Sequence, residues 1–135
     1  MADISHYYED VIIDLMRNVA YTEVTAYVAL FTADTGLEAD NPDSECTGTG
    51  YTRELAGLTA GANGVSANAG IIQFPVAGAA DWGTITHFAL VDHETNSNWG
   101  VDVHVLMWDA LTVQKVVGDG DSVKFPIGDL DVNIT

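Results

Sequence analysis

Length, composition and charge narrow the class of protein. The chain has 135 residues, of which 47% are hydrophobic, so it can form one compact core but is neither intrinsically disordered nor long enough for two ordinary domains. Twenty Asp and Glu against four Lys and Arg give a formal net charge of −16, which excludes nucleic-acid binding because phosphate backbones would be repelled.

The acidic residues are spread along the chain, from Asp3 to Asp131. In molar salt the Debye length is about 3 Å, so repulsion between such charges is screened. The dispersed acids and the scarcity of lysine predict a protein adapted to high salt, and an ordinary acidic protein is the alternative. No apolar run reaches the roughly twenty residues that span a bilayer, and the start has no signal-peptide pattern, so we expect synthesis in a cytoplasm.

Residues 1–20 are predicted to form an N-terminal amphipathic helix. Either Asp3 or Ser5 is suited to cap its start, and Asn18 is suited to end it in a left-handed conformation. A helix this short needs a surface to pack on, either the sheet of its own domain or a neighbouring subunit. The apolar residues at helical spacing on one face are Ile4, Tyr8, Val11, Ile12, Leu15 and Val19.

Residues 21–135 are predicted to form a single mainly β domain, a β-sandwich or jelly-roll-like fold. The first strand, residues 24–32, is apolar on both faces and suits a central position. Residues 33–50 are acidic and poor in apolar side chains, which indicates a long exposed loop. Short strands about ten residues apart, with turns between them, indicate a sandwich. They are predicted at residues 51–58, 71–76, 84–92, 101–108, 112–117, 122–127 and 130–134.

The strand at residues 84–92 is apolar on both faces. Ile85, Ala89 and Val91 are expected on one face, and Phe88 and Leu90 on the other. A small domain rarely covers both faces of a sheet, so surplus apolar surface is expected to be buried in a closed homo-oligomer.

Sequence motifs of catalysis are absent, so we assign no catalytic residues and no cofactor, and we expect no enzyme. A metal site formed by His87, His93 and His104 is less favoured than histidines at the surface or at an interface, so no metal site is predicted. Asp119 and Asp121 are weak calcium candidates in a turn, where a solvated acidic turn is the simpler interpretation. Cys46, the single cysteine, is expected to be a free surface thiol.

The tryptophans differ in their expected roles. Trp82 precedes a strand and is expected to cover one end of the core. Trp99 follows a polar turn and is the better candidate for an exposed contact. The predicted oligomer or docking contacts are therefore Tyr8, Val11, Ile12, Leu15 and Trp99.

Several segments together resemble a family of small structural proteins of tailed viruses, which are tail-fibre or head-decoration subunits. The segments are AYT at 20–22, YVALFTAD at 27–34, GYTR at 50–53, IQFP at 72–75, WGTITHFAL at 82–90 and GDGDSVKF at 118–125. The resemblance implies a β-sandwich subunit that oligomerises on a virion and has no catalytic residues. Together with the acidity, it implies a virus of a haloarchaeon.

The predicted function is that of a non-enzymatic virion structural protein. It either decorates the capsid, as a decoration, turret or spike subunit, or is attached to the tail. Its expected partners are identical subunits, as a trimer or pentamer, and other capsid or tail proteins. The alternative is a module of the virion tail that binds a host-surface glycan through residues 33–50 and 92–99, with calcium as a possible aid.

Overall fold

A computed structural model of the chain describes residues 2–134. The fold is mainly β, in one small domain with a short N-terminal helix, as the sequence predicts. In chain order the elements are β1 (Asp3–Ile4), α1 (His6–Met16), β2 (Tyr27–Phe31), β3 (Glu54–Leu55), β4 (Val65–Ala67), β5 (Ile72–Gln73), β6 (Gly83–Val91), β7 (Val105–Val117), β8 (Lys124–Phe125) and β9 (Asp131–Asn133).

The main sheet has five antiparallel strands in the order β1-β7-β6-β2-β3, and two small antiparallel sheets pair β4 with β9 and β5 with β8. Strand β2 lies between β6 and β3, and its residues from Val28 to Phe31 are fully buried. The predicted central position of this strand is therefore confirmed. The β-branched and aromatic composition of the strand suits a pleated surface buried on both sides.

Each face of the main sheet is covered by a separate cluster of apolar residues. On one face Val28, Leu30 and Leu90 join a core with Phe74 and Phe125, which belong to or adjoin the small sheets. On the other face the apolar residues of β2 and β6 pack with Leu37 of the acidic loop and with Val103, which lies between β6 and β7. The chain therefore covers both faces of its central strands itself, and the expected surplus of apolar surface on β6 is not found.

The face assignment of Ile85 is wrong. Ile85 pairs with Lys115 on β7, whereas His87 pairs with Ala110, so the register shifts between them. This shift is a β-bulge whose extra residues lie on β7. Ile85 packs in the core that contains Phe88 and Leu90. The bulge lies within one long strand, β7, where the sequence predicts two.

Part of the acidic loop at residues 33–50 is buried. The Cys46 N–H donates to the Leu30 carbonyl at 2.8 Å, and the Thr32 N–H donates to the Ser44 carbonyl at 2.9 Å. The loop thus returns alongside the end of β2 and places Cys46 in the core, where Cys46 is only 3% exposed. The prediction of a surface thiol is wrong, and burial raises the pKa of the thiol.

The bounds of the other strands depend on strand pairing, which sequence patterns do not reveal. Strands β3, β5 and β8 are two residues long, much shorter than predicted, and β1 and β4 are additional strands. Strand β4 lies in a Gly- and Asn-rich stretch and forms through pairing with β9. Within residues 2–134, no helix has the length and apolar character to cross a bilayer.

Candidate docking surface and loop networks

The start of the helix is fixed to the main sheet and to the acidic loop. Of the two predicted caps, Ser5 is the one used, since its hydroxyl accepts a hydrogen bond from the Tyr8 N–H at 3.3 Å. The same hydroxyl donates to the Val105 carbonyl of β7. The next N–H, that of His6, donates to the Glu38 carbonyl at 2.9 Å. The end is also as predicted, because Asn18 has a φ of 63°.

The helix has a packed face and an exposed end. Tyr7 and Tyr8 pack against the larger core, and Val11 and Ile12 are half-buried. The exposed apolar residues cluster in sequence at the end of the helix and just after it, and we call them the helix-end patch. They are Ile13, Leu15, Met16, Val19 and Val24. Met16 is the most exposed of them, at 77%.

The predicted docking contacts lie in three different environments. Tyr8 packs on the core, Val11 and Ile12 lie at its margin, and Leu15 is 53% exposed. Trp99 is half-buried against the second core, where its ring lies 6.1 Å from that of Phe31. The sequence prediction did not include Ile13 or Met16, because both lie outside the predicted apolar stripe of the helix.

A buried ion pair joins the two long loops. Arg53 Nε and Nη2 donate to the two oxygens of Glu45 at 2.7 and 2.8 Å, and the side chains are 4% and 15% exposed. Arg53 Nη1 donates to the His93 carbonyl at 2.8 Å, and the guanidinium lies 4.9 Å from the centre of the Trp99 ring. Tyr51 Oη also donates to Glu45, at 3.0 Å. One arginine thereby holds residues 33–50 against residues 92–99.

A second polar network lies beneath the helix. His104 Nδ1 lies 2.5 Å from an oxygen of Asp40, whose other oxygen accepts from the Val105 N–H at 2.6 Å. The Tyr7 ring stacks on the His104 ring at 3.7 Å between centroids. Asp92 accepts from the His104 N–H at 2.6 Å. His104, predicted to lie at the surface or at an interface, is therefore part of the packing between helix, sheet and loop.

The weak calcium candidates have a local structural role. The Asp121 carboxylate accepts from the Gly118 N–H at 2.8 Å, and the Asp121 N–H donates to the Gly118 carbonyl at 3.0 Å. These bonds close the predicted turn between β7 and β8. Asp119 is exposed beside it.

A different cluster within residues 2–134 has the composition of a metal site. His6, Glu9 and Glu38 each place a ligand atom within 4.8 Å of the others. His6 and Glu9 lie in the first turn of α1, and Glu38 lies in the acidic loop. The three-residue spacing of His6 and Glu9 on one helix face was visible in the sequence, but the approach of Glu38 was not.

Three tyrosines have raised pKa values, and burial is the main cause for each. They are Tyr7, Tyr21 and Tyr51. Tyrosine in an unfolded chain ionises near pH 10. The folded chain therefore retains protons above pH 10 that the unfolded chain has lost.

Alkaline pH is consequently expected to destabilise the protein. The stability that these neutral tyrosines contribute is complete below pH 10 and is lost as the pH rises toward their folded pKa values. Tyrosinate absorbance at 295 nm during a pH titration measures this directly, with thermal midpoints recorded over the same range. We expect three of the five tyrosines to ionise only above pH 10, together with a falling midpoint. Complete ionisation of all five near pH 10 in the folded protein would contradict the prediction.

Comparison with known proteins gives a match over nearly the whole chain. A family model described as Podophage GP4 fiber I protein gp80 matches residues 3–133. No curated protein matches the chain. The matched range includes the helix, all three sheets and both long loops.

Proposed function

We propose, since the chain belongs to the Podophage GP4 fiber I protein gp80 family, that it is a structural subunit of a virion fibre attached to the tail. The observation that carries this proposal is the match over residues 3–133, which spans the whole described fold rather than one segment. The polar networks described above join loops, helix and sheet to one another.

The fibre subunit acts through contacts with identical copies and with other virion proteins. The helix-end patch supports this role, because it exposes several large apolar side chains outside both cores. Three- or fivefold assembly fits the symmetry that a virion offers at its axes. The net charge of −16 supports a host that lives in high salt, such as a haloarchaeon, since molar salt screens the repulsion between copies.

Location on the particle tests the proposed function. The full chain with a short C-terminal epitope is incorporated into virions, and gold-labelled antibody is located by electron microscopy. Label at the tail supports a tail fibre, whereas label over the head would overturn tail attachment in favour of capsid decoration. Particles without label, in preparations where the tagged chain is expressed, would contradict a role in the virion.

The helix-end patch gives a sharper prediction about assembly. Replacing both Leu15 and Met16 with Asp is expected to weaken self-association at least tenfold, because buried carboxylates at an interface are costly. The fold should persist, since both side chains are exposed. Sedimentation velocity in molar salt measures the assembly state, and circular dichroism checks the fold.

A matched control uses an exposed apolar pair far along the chain. Val113 and Val116 are 72% and 74% exposed in β7, and their replacement with Asp should leave the assembly state unchanged. Normal assembly of the Leu15 and Met16 variant would show that the patch is not the interface.

Glycan binding is a second candidate function, and the loop geometry favours it specifically. The two loops named in the sequence prediction meet at a depression of about 410 Å³, whose lining includes Tyr51, Arg53, Glu94, Thr95 and Ser97. The exposed residues Glu94, Thr95 and Ser97 offer carboxylate and hydroxyl groups that suit sugar hydroxyls. Binding of the intact protein to a panel of host-surface glycans, with and without chelator, tests this candidate. Binding that is lost in Glu94→Gln would support it, and a panel without any binding would exclude it.

A further inference from the structure

The His6, Glu9 and Glu38 cluster has the spacing of a metal-binding site. His6 Nε2 and Glu38 Oε1 are 3.3 Å apart, and all three ligand atoms lie within 4.8 Å of one another. With bonds of about 2.0–2.1 Å, two ligand atoms of a tetrahedral zinc ion lie about 3.4 Å apart. The nitrogen and the oxygen are thus already at the separation that a bound ion requires.

Two hydrogen bonds hold Glu38 in position. Its Oε2 accepts a hydrogen bond from Trp108 Nε1 at 2.9 Å, and its carbonyl accepts from the His6 N–H at 2.9 Å. These bonds leave Oε1 directed toward His6. Metal-binding carboxylates commonly have one oxygen fixed in this way, and such outer contacts raise metal affinity.

An independent feature beside the cluster also points to a bound species. Glu9, Glu38 and Trp108 line a surface depression of about 490 Å³ together with Asn133. Asn133 Oδ1 is buried and has no hydrogen-bond partner among the described residues. A buried amide oxygen without a partner is uncommon in folded proteins and is usually satisfied by water or an ion.

We propose that His6, Glu9 and Glu38 bind a divalent transition-metal ion, for which Zn²⁺ is the probe. An imidazole nitrogen favours zinc over calcium or magnesium, and two carboxylates match the charge of the ion. Water completes the coordination. The ion connects the first turn of α1 to the acidic loop, so it fastens the helix to the domain.

Isothermal titration of the metal-free full chain with ZnCl₂ tests the site. We expect one ion per chain for the wild type, and at least tenfold weaker binding for His6→Ala and for Glu9→Gln. Both side chains are exposed, so their replacement leaves the fold intact. Glu23→Gln, an exposed acid outside the cluster, is the matched control and should bind as the wild type does.

Thermal unfolding gives a second measurement on the same proteins. ZnCl₂ should raise the midpoint of the wild type and of Glu23→Gln, because a ligand that binds only the folded state stabilises it. The midpoint of His6→Ala should not respond. Absence of stoichiometric binding by the wild type, or equal binding by His6→Ala, would overturn the proposal.

Discussion

Replacing Arg53 with Met is expected to lower the free energy of unfolding by about 3–5 kcal/mol. The substitution removes three hydrogen bonds and leaves the Glu45 carboxylate, only 15% exposed, without its counter-charge. Tyr51 would then donate to an uncompensated buried charge. Urea denaturation measures the effect as a lower midpoint with an unchanged m-value.

Two further variants test whether the loss of stability comes from the broken ion pair or from a general disruption of the fold. Arg53→Met combined with Glu45→Met should be less destabilising than the sum of the two single changes, since neither charge then remains alone. Arg17→Met is the control, because Arg17 forms an exposed pair with Asp14 at 2.6 Å. Such exposed helix pairs contribute only about 0.3–0.5 kcal/mol. A loss below about 1 kcal/mol for Arg53→Met would show that the pair does not hold the loops.

Dialysis to low salt is expected to dissociate the proposed oligomer, and restored salt should reassemble it. Each chain brings a formal charge of −16. The Debye length is about 10 Å at 0.1 M salt and about 3 Å at 1 M, so repulsion extends across an interface only at the lower concentration. Sedimentation velocity over a sodium chloride series measures the mass, and thermal unfolding over the same series measures the fold.

A charge-reduced variant is the matched control for salt dependence. Replacing the exposed residues Asp10, Glu23, Asp34 and Asp119 with their amides changes the formal charge from −16 to −12. Dissociation should then occur at a lower salt concentration, because less repulsion needs screening. An oligomer of constant mass and thermal midpoint throughout the series would show that the acidity is ordinary solubilising charge.

The zinc proposal and the salt prediction are experimentally separable. Zinc binding depends on three named side chains, and it saturates at one ion per chain. Salt screening depends on the total charge and continues to molar concentration. Glu9→Gln should therefore weaken the response to ZnCl₂ while leaving most of the salt dependence unchanged.

Local patterns in the sequence were sufficient to predict several elements. The strand predicted at residues 84–92 is β6 at Gly83–Val91, and the predicted cap and terminator, Ser5 and Asn18, are used. Alternation and capping depend on neighbouring residues, so a single sequence records them. The mainly β class follows from the same regularity, since short apolar runs recur between turn residues.

Other features depend on residues far apart in the chain. Cys46 is buried because its loop returns along β2, and the register between β6 and β7 shifts after Ile85. The contact between Arg53 and His93 spans 40 residues, and that between Asp40 and His104 spans 64. No local pattern encodes which distant residues will form hydrogen bonds with one another.

By itself, the sequence determined the charge, the single domain, the mainly β class and the presence of an N-terminal helix. Each of these follows from composition or from the spacing of neighbouring side chains. Only the tertiary structure decided which apolar residues remain exposed at the helix end, which loops join at Arg53, and that Glu38 approaches the first turn of the helix. These depend on how distant segments pack, because burial and proximity are properties of the assembled chain rather than of any one segment.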